Sequence, residues 1–461
     1  MFSKGLFKSF IYSFLFVLVF FNKVGADESN KNLVFHSKAG FLEFALYRHS
    51  TKELTTSEVS SYIINNSTSL ELAKSFDPSY GKIVFSSRII NNIHEEYAPP
   101  SGDSLRYFGK GFSIEQGELL NKSNQAIVVS LAFPTEKALL ANKQATRLLL
   151  SMAKNYGGFI WDEDTREIFT RDAWNELRVQ PWNDTWPNIS NHIATHAYQP
   201  NDLFARAVTL GMVKFGLPDI TINNFSWSMN NQIGNFINLL AQNLLEGYEL
   251  NSKGELTLSI ASLKNTNAKE YLSSLVFENS VTEILVKVTP SSGEEGDPDN
   301  RIIEVVFEDH PGENLQEKQE RLLDSVFGWK ESISLVQHNA AILDASNRAK
   351  AKLSKLQIEF TKGLEPGGHI SLKAPFKTPD DNNEYMWIDV IDWRNSHISG
   401  LLKNEPFNIP ELKGGSTVSI DQSLVFDYIR YYGDGRSEGN ETGELIMKYQ
   451  TQTRSYNQYQ N

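Results

Sequence analysis

Apolar residues recur along the chain at two periods, near 3.6 and near 2, and the alternation between them predicts its elements. Gly40–Tyr47 reads as a strand, and Thr55–Ile64 as a short helix opened by a capping box, with Glu58 three residues after Thr55. Residues 83–86 and 105–108 read as short strands around the loop Ala98-Pro99-Pro100-Ser101-Gly102. Ala126–Phe133 is a continuous apolar run suited to a buried strand. Thr135 is expected to cap a helix to about Tyr156, ended by Gly157-Gly158. Phe159-Ile160-Trp161 and Ile168-Phe169 then flank a charged turn, which predicts a hairpin. A strand–helix–hairpin order therefore occurs twice, a hint of duplicated halves.

Further along, His192–Tyr198 alternates as a strand, and Asn201–Phe215 reads as a helix stopped by Gly216-Leu217-Pro218. A long helix is expected over Asn231–Glu246, followed by strands at 256–260, 284–288 and 302–307. Between the last two, Pro290–Pro298 reads as a flexible acidic loop. A helix-rich stretch covers 314–360, and from Gly363 strands separated by Gly, Pro and Asn turns take over. The fold class is α+β, in two or three domains. The expected order is a leader at 1–26, α+β regions at 27–120 and 121–314, and a helical connector at 315–336. A small β-rich domain preceded by a helix follows at 337–450, with a polar tail at 451–461.

The leader changes the functional picture. Lys4 and Lys8 precede the run Phe10–Phe21, broken only by Ser13, and Val24-Gly25-Ala26 supplies small residues before the acidic Asp27-Glu28. That is the order of a cleavable signal peptide, with cleavage near Ala26. The run is shorter than the roughly 20 apolar residues of a spanning helix. The expected location is periplasmic or secreted, with no stable membrane span after cleavage. The chain has no cysteine, so it has no disulfides. Loss of residues 1–26 removes three lysines and no acid, taking the net charge from −12 to −15. Such an acidic chain argues against binding nucleic acid by charge.

Ser371–Phe376, Glu384-Tyr385-Met386-Trp387-Ile388-Asp389-Val390, Gly400–Pro406, Leu412–Val418 and Phe426–Ile429 stand in a characteristic order. With the helix ending at Phe360, these motifs make the C-terminal segment resemble the bacterial DUF2314 family. The segments Val208–Met212 and Trp161–Arg166 resemble the α+β region often found ahead of that domain. Departures are Tyr385 where the family often has His, Gly415-Ser416 in place of Gly-Asp, and Asp427-Tyr428 in place of Asp-Trp. The resemblance implies no particular activity.

Each chemical motif has a plainer reading beside it. His192 and His196 have the i, i+4 spacing of a zinc helix, without its glutamate and in a β pattern, so no metal is expected. Ser151-Met152-Ala153-Lys154, Ser228-Met229-Asn230 and Lys413-Gly414-Gly415 imitate a penicillin-binding site, but Ser151 falls near a helix end. Asp162-Glu163-Asp164 offers clustered carboxylates that read more simply as a solvated turn. No nucleotide loop, nucleophile elbow or cofactor signature is present.

The best candidates for a binding surface are Glu384, Trp387, Trp393 and Asn404, with Trp387 and Trp393 at even spacing on one strand. The expected function is an exported, non-catalytic module for an envelope protein or ligand. The rival is a hydrolase of an envelope substrate acting through carboxylates or Ser151.

Overall fold

The computed structural model describes residues 39–445 apart from 74–80, 183–184, 199–203, 227–228, 277–279, 282, 329–339, 380–382, 405, 407–408 and 435. The leader, the tail, Ser228 and the 315–336 connector beyond 328 lie outside the described residues. Two compact units are present. One is built from the described residues of Met1–Ser104, Glu115–Phe225 and Gln232–Trp329, the other from those of Leu105–Ile114, Ser226–Asn231 and Lys330–Asn461.

The first unit carries two sheets. Ala39–Arg48 (β1) lies between Gln125–Pro134 and Phe159–Asp162, antiparallel to both, so strands from 27–120 and 121–314 share one sheet. With Leu70–Leu72 (β2), Ile83–Ile90 (β3), Gln125–Pro134 (β4), Phe159–Asp162 (β5) and Glu167–Phe169 (β6), the order runs β2-β3-β4-β1-β5-β6. A central strand is covered on both faces, which is why Ala126–Val129 are buried without alternation. Thr56–Asn66 (α1) and Ala138–Tyr156 (α2) cover one face, packing Val59, Ile63, Ala145, Leu149 and Met152 on Phe44, Leu46, Val129 and Phe133.

Both helix ends follow their local chemistry. The Thr55–Glu58 capping box forms in both directions. Helix α2 stops where Gly157 adopts φ +71° and Gly158 φ +107°; a Cβ on Gly158 would stand 2.2 Å from the Tyr47 carbonyl oxygen. Thr135 instead opens a short 3₁₀ turn over Thr135–Lys137, and α2 begins after it with no side-chain cap. The strand–helix–two-strand order does recur, but β2 and β3 run parallel whereas β5 and β6 form the hairpin.

The second sheet contains Ala194–Tyr198 (β7), Ala205–Leu210 (β8), Asp219–Phe225 (β9), Glu255–Leu258 (β10), Ile284–Ser291 (β11) and Ile302–Val306 (β12). Its order is β10-β11-β12-β9-β8-β7, with β9 and β12 parallel. The helices Asn230–Leu245 (α3) and Leu315–Phe327 (α4) bury Phe236, Leu240, Leu323 and Val326.

Two expectations fail here. Residues 105–108 belong to a helix, Gly102–Phe108; Leu105 is buried while Tyr107 is 56 % exposed, a difference two same-face strand residues would not show. Within 201–215, Ala205–Leu210 is a strand, buried throughout between two neighbours, so no period distinguishes it from a buried helix. Gly211, at φ +103°, ends it.

In the second unit, Ala340–Lys362 (α5) packs on one antiparallel sheet of His369–Lys377 (β13), Asn383–Arg394 (β14), His397–Leu402 (β15), Thr417–Asp421 (β16), Asp427–Tyr431 (β17) and Ser437–Gly439 (β18). The order is β16-β15-β14-β13-β17-β18. Ala349, Leu353 and Leu356 of α5 meet Ile370, Leu372, Met386, Ile388, Val390 and Ile398 in the core. Thr55→Ala should lower stability by about 1 kcal/mol, because one half of a formed capping box is lost. Urea unfolding followed by circular dichroism checks this; a change below about 0.3 kcal/mol would count against the cap.

A sealed ionic core and an open polar cleft

The hairpin β5–β6 brings together charges that are far apart in sequence. Asp162 closes β5, Glu167 opens β6, and Arg178 reaches them from a π-helical turn over Asn175–Val179. A 3₁₀ turn over Met212–Phe215 packs on β1 and α2 and delivers Lys214. Lys214 Nζ lies 2.5 Å from Asp162 Oδ2, and Arg178 Nε 3.4 Å from the same oxygen. Arg178 also pairs with Glu167 at 2.6 Å, donates to the Asn191 carbonyl, and stacks its guanidinium 4.5 Å above Phe169. The four side chains are at most 9 % exposed.

The expected solvated turn at 162–164 is therefore wrong at its first residue: Asp162 is fully buried because Lys214 and Arg178 supply its counter-charges. Asp164 is half-buried as a residue, but its Oδ2 is shut off from solvent with no hydrogen-bond partner among the described residues. Burial, with Asp162 beside it, pushes the Asp164 carboxyl well above the usual carboxylate range, and Lys214 opposes the shift. Burial also holds the His192 imidazole well below its ordinary value, with Arg178 and Lys214 adding to the effect. His192 stands edge-on between Trp182 and Phe215. It precedes β7 rather than joining it, and His196 is on the strand. Among the described residues no group of three His, Asp or Glu side chains is arranged to hold a metal ion.

A second buried pair occupies the other sheet. Arg206, 2 % exposed, bonds Asp297 at 2.5 Å, so the loop expected to be flexible at 290–298 is pinned at Asp297 by a guanidinium that needs a counter-charge. Nearby Asp219 accepts from Thr209 Oγ1 at 2.7 Å, Asn300 Nδ2 at 2.7 Å and the Met212 amide at 3.2 Å. Burial still pushes its pKa up to about 6. Ser151 Oγ is 2.7 Å from Tyr62 Oη, partnered within the fold.

Of the four predicted binding residues, the structure brings two together. The Asn404 side-chain carbonyl accepts the Trp387 amide at 2.7 Å. Trp387 is half-buried on the sheet face away from α5, with Lys373 Nζ 5.7 Å from its ring centroid. On that face Lys403 pairs with Asp389 at 3.4 Å and lies over Tyr431, which stacks on His369 at 4.2 Å. Glu384, also half-buried, pairs with Phe376 in the strand register.

Trp393 is on the opposite face. Between Val390 and Asp392 the pairing with β15 shifts by one residue; the bulge leaves Ile391 50 % exposed and reverses the inward–outward alternation beyond it. Trp393 is consequently 4 % exposed, packed near Phe360, and donates Nε1–H to Gln422 at 3.0 Å.

Above that tryptophan an open cleft of about 500 Å³ is lined by α5, the Asn395-Ser396 turn and the turn Asp421–Ser423. Gln357 Nε2 donates to the Asn395 carbonyl at 2.5 Å and the Gln422 amide donates to Ser396 at 2.7 Å, tying the three walls together. Sequence reading missed this cleft, along with Lys214, Arg178 and Arg206. The single charges inside Ala205-Arg206-Ala207-Val208 and Met212-Val213-Lys214-Phe215 were the available signal.

Residues 337–460 match the family DUF2314, described as "Uncharacterized protein conserved in bacteria". The sheet, α5 and the cleft all fall within the DUF2314 region. Comparison with the curated proteins and with the solved structures gives no match.

Lys214→Met should cost roughly 3–5 kcal/mol, because it leaves Asp162 buried with one cation fewer. A loss under about 1 kcal/mol in urea unfolding would mean that Asp162 does not depend on Lys214. Asp219 sets a pH dependence. Its folded value, about 6, is above its ordinary 3.8. Its contribution is therefore fully present below 3.8 and is lost as pH rises through about 6. Between those limits the urea midpoint of the wild type should fall relative to that of Asp219→Asn; a constant difference would refute the assignment.

Proposed function

We propose that the chain is exported through a leader ending near Ala26 and acts in the periplasm or outside the cell as a non-catalytic binding protein. Its ligand or envelope protein partner meets the DUF2314 region. The basic start, short apolar run and small residues before Asp27 support export. Among the described residues no helix is long and apolar enough to cross a membrane.

The observation that carries the binding reading is the make-up of the cleft. Its walls present the amides of Gln357, Asn395 and Gln422, two serines, Lys350 and Asp421 beside the apolar Leu353, a mix of hydrogen-bonding groups and apolar surface that suits a ligand site. Of the carboxylates a hydrolase would use, Asp162 is spent on Lys214 and Arg178 and Glu163 accepts from Tyr97 and Trp161, while Ser151 is spent on Tyr62.

Two measurements test the proposal. N-terminal sequencing of the protein from fractionated bacteria should begin at Asp27, and an intact Met1 in the cytosol would sink export. A thermal-shift panel of peptides, sugars, cell-wall fragments and nucleotides should contain a stabiliser. At ~100 times its dissociation constant a ligand adds about 2.7 kcal/mol, or several degrees at roughly 2–4 °C per kcal/mol. Turnover of the stabilising compound would overturn the non-catalytic reading, and silence across the panel would count against a small-molecule ligand and leave a protein partner as the occupant.

A further inference from the structure

The cleft's side chains divide into those already spent within the fold and those still available. Asp421 is spent: its carboxylate accepts the Ser423 amide at 2.9 Å, the Ser423 hydroxyl at 2.6 Å and the Ser396 hydroxyl, and these donors hold its pKa low. Gln422 Oε1 is spent on Trp393 Nε1–H, which leaves its NH₂ group. Gln357 Nε2 is spent on the Asn395 carbonyl, which leaves Oε1 as an acceptor.

The Asn395 side chain makes no hydrogen bond among the described residues, and its backbone φ of +52° fixes it at the tip of a two-residue turn. Lys350 is exposed and has no ion-pair partner among the described residues. Its position on α5 is one turn before Leu353 and two before Gln357, so all three face the cleft. The uncommitted set is one cation, two amide NH₂ groups and two amide oxygens, those of Gln357 and Asn395.

We propose that this cleft binds a small carboxylate-bearing ligand, with Lys350 taking the carboxylate and the Asn395 and Gln422 amides donating to its carbonyl or hydroxyl oxygens. Gln357 Oε1 accepts an N–H or O–H of the same molecule. The inference rests on the binding reading above and names its ligand class. Asp421, the one lining carboxylate, keeps its charge, but its oxygens are turned to the Ser423 and Ser396 donors, so a ligand carboxylate is placed at Lys350, which would repel a cation. The volume, about 500 Å³, is within the usual range of roughly 300–1,000 Å³ for small-molecule sites. A peptide with a free C-terminus and a sugar acid share this chemistry.

Titration calorimetry on the full chain decides it, with acetyl-Ala-Ala, its C-terminal carboxamide, and glucuronate as probes. At least one carboxylate should bind. If acetyl-Ala-Ala is the one, the carboxamide should bind about tenfold weaker or worse, since an ionised hydrogen bond is lost. Preference for acetyl-Ala-Ala identifies a peptide end, and preference for glucuronate a sugar acid. Lys350→Met should weaken whichever binds by a similar factor, and Lys350→Arg should restore most of it.

Lys350 is exposed, so its replacement leaves the fold intact, which matching thermal midpoints without ligand will establish. Equal affinity for acid and amide, an unchanged Lys350→Met, or no binding of either acid overturns the proposal. If in that case another compound from the thermal-shift panel stabilises the protein, only the ligand class has failed. If none does, the small-molecule form of the binding reading fails with it.

Discussion

Asp162 is the constraint on which the first unit depends. Its carboxylate is fully buried on a strand of the first sheet, and a buried carboxylate requires cations at hydrogen-bond distance. Lys214 comes from the turn that follows a strand of the second sheet, and Arg178 from a π-helical turn between the two sheets in sequence. Satisfying one oxygen therefore fixes the path of three segments. Glu167 takes the other end of Arg178, so two carboxylates face two cations. Asp164 and His192 are left over, and their environments favour the protonated carboxyl and the neutral imidazole.

Desolvation offsets much of the attraction in such a network, so its net contribution to stability is small beside the cost of removing one partner. The Lys214–Asp162 contact ties the Met212–Phe215 turn to β5. Gly211 lets this happen: a Cβ there would stand 2.8 Å from Thr165 Cγ2 and 3.0 Å from Lys214 Cε.

In the DUF2314 region a single extra residue plays the corresponding part. The bulge at Ile391 turns Trp393 inward, where it anchors Gln422 and so the floor of the cleft, and leaves Trp387 on the other face with Lys373. Helix α5 supplies both the apolar side of the core and, at Lys350 and Gln357, a wall of the cleft. One amphipathic helix thereby links stability to the surface offered to a ligand.

Local pattern was enough for much of this. The Thr55 capping box, the glycine stop at Gly157, the β5–β6 hairpin, the α+β class and the DUF2314 segment all depend on neighbours in the chain, and the sequence alone determined them. What it could not determine were the identities that rest on distant partners. Asn201–Phe215 reads as a helix until two strands flank Ala205–Leu210, and Asp162 reads as a turn residue until Lys214 arrives from 52 positions away. Even spacing placed Trp387 and Trp393 on one face, but parity along a strand holds only while the pairing register does, and the partner strand β15 breaks it. Burial, charge pairing and register are properties of contacts between segments, so only the tertiary structure could decide them.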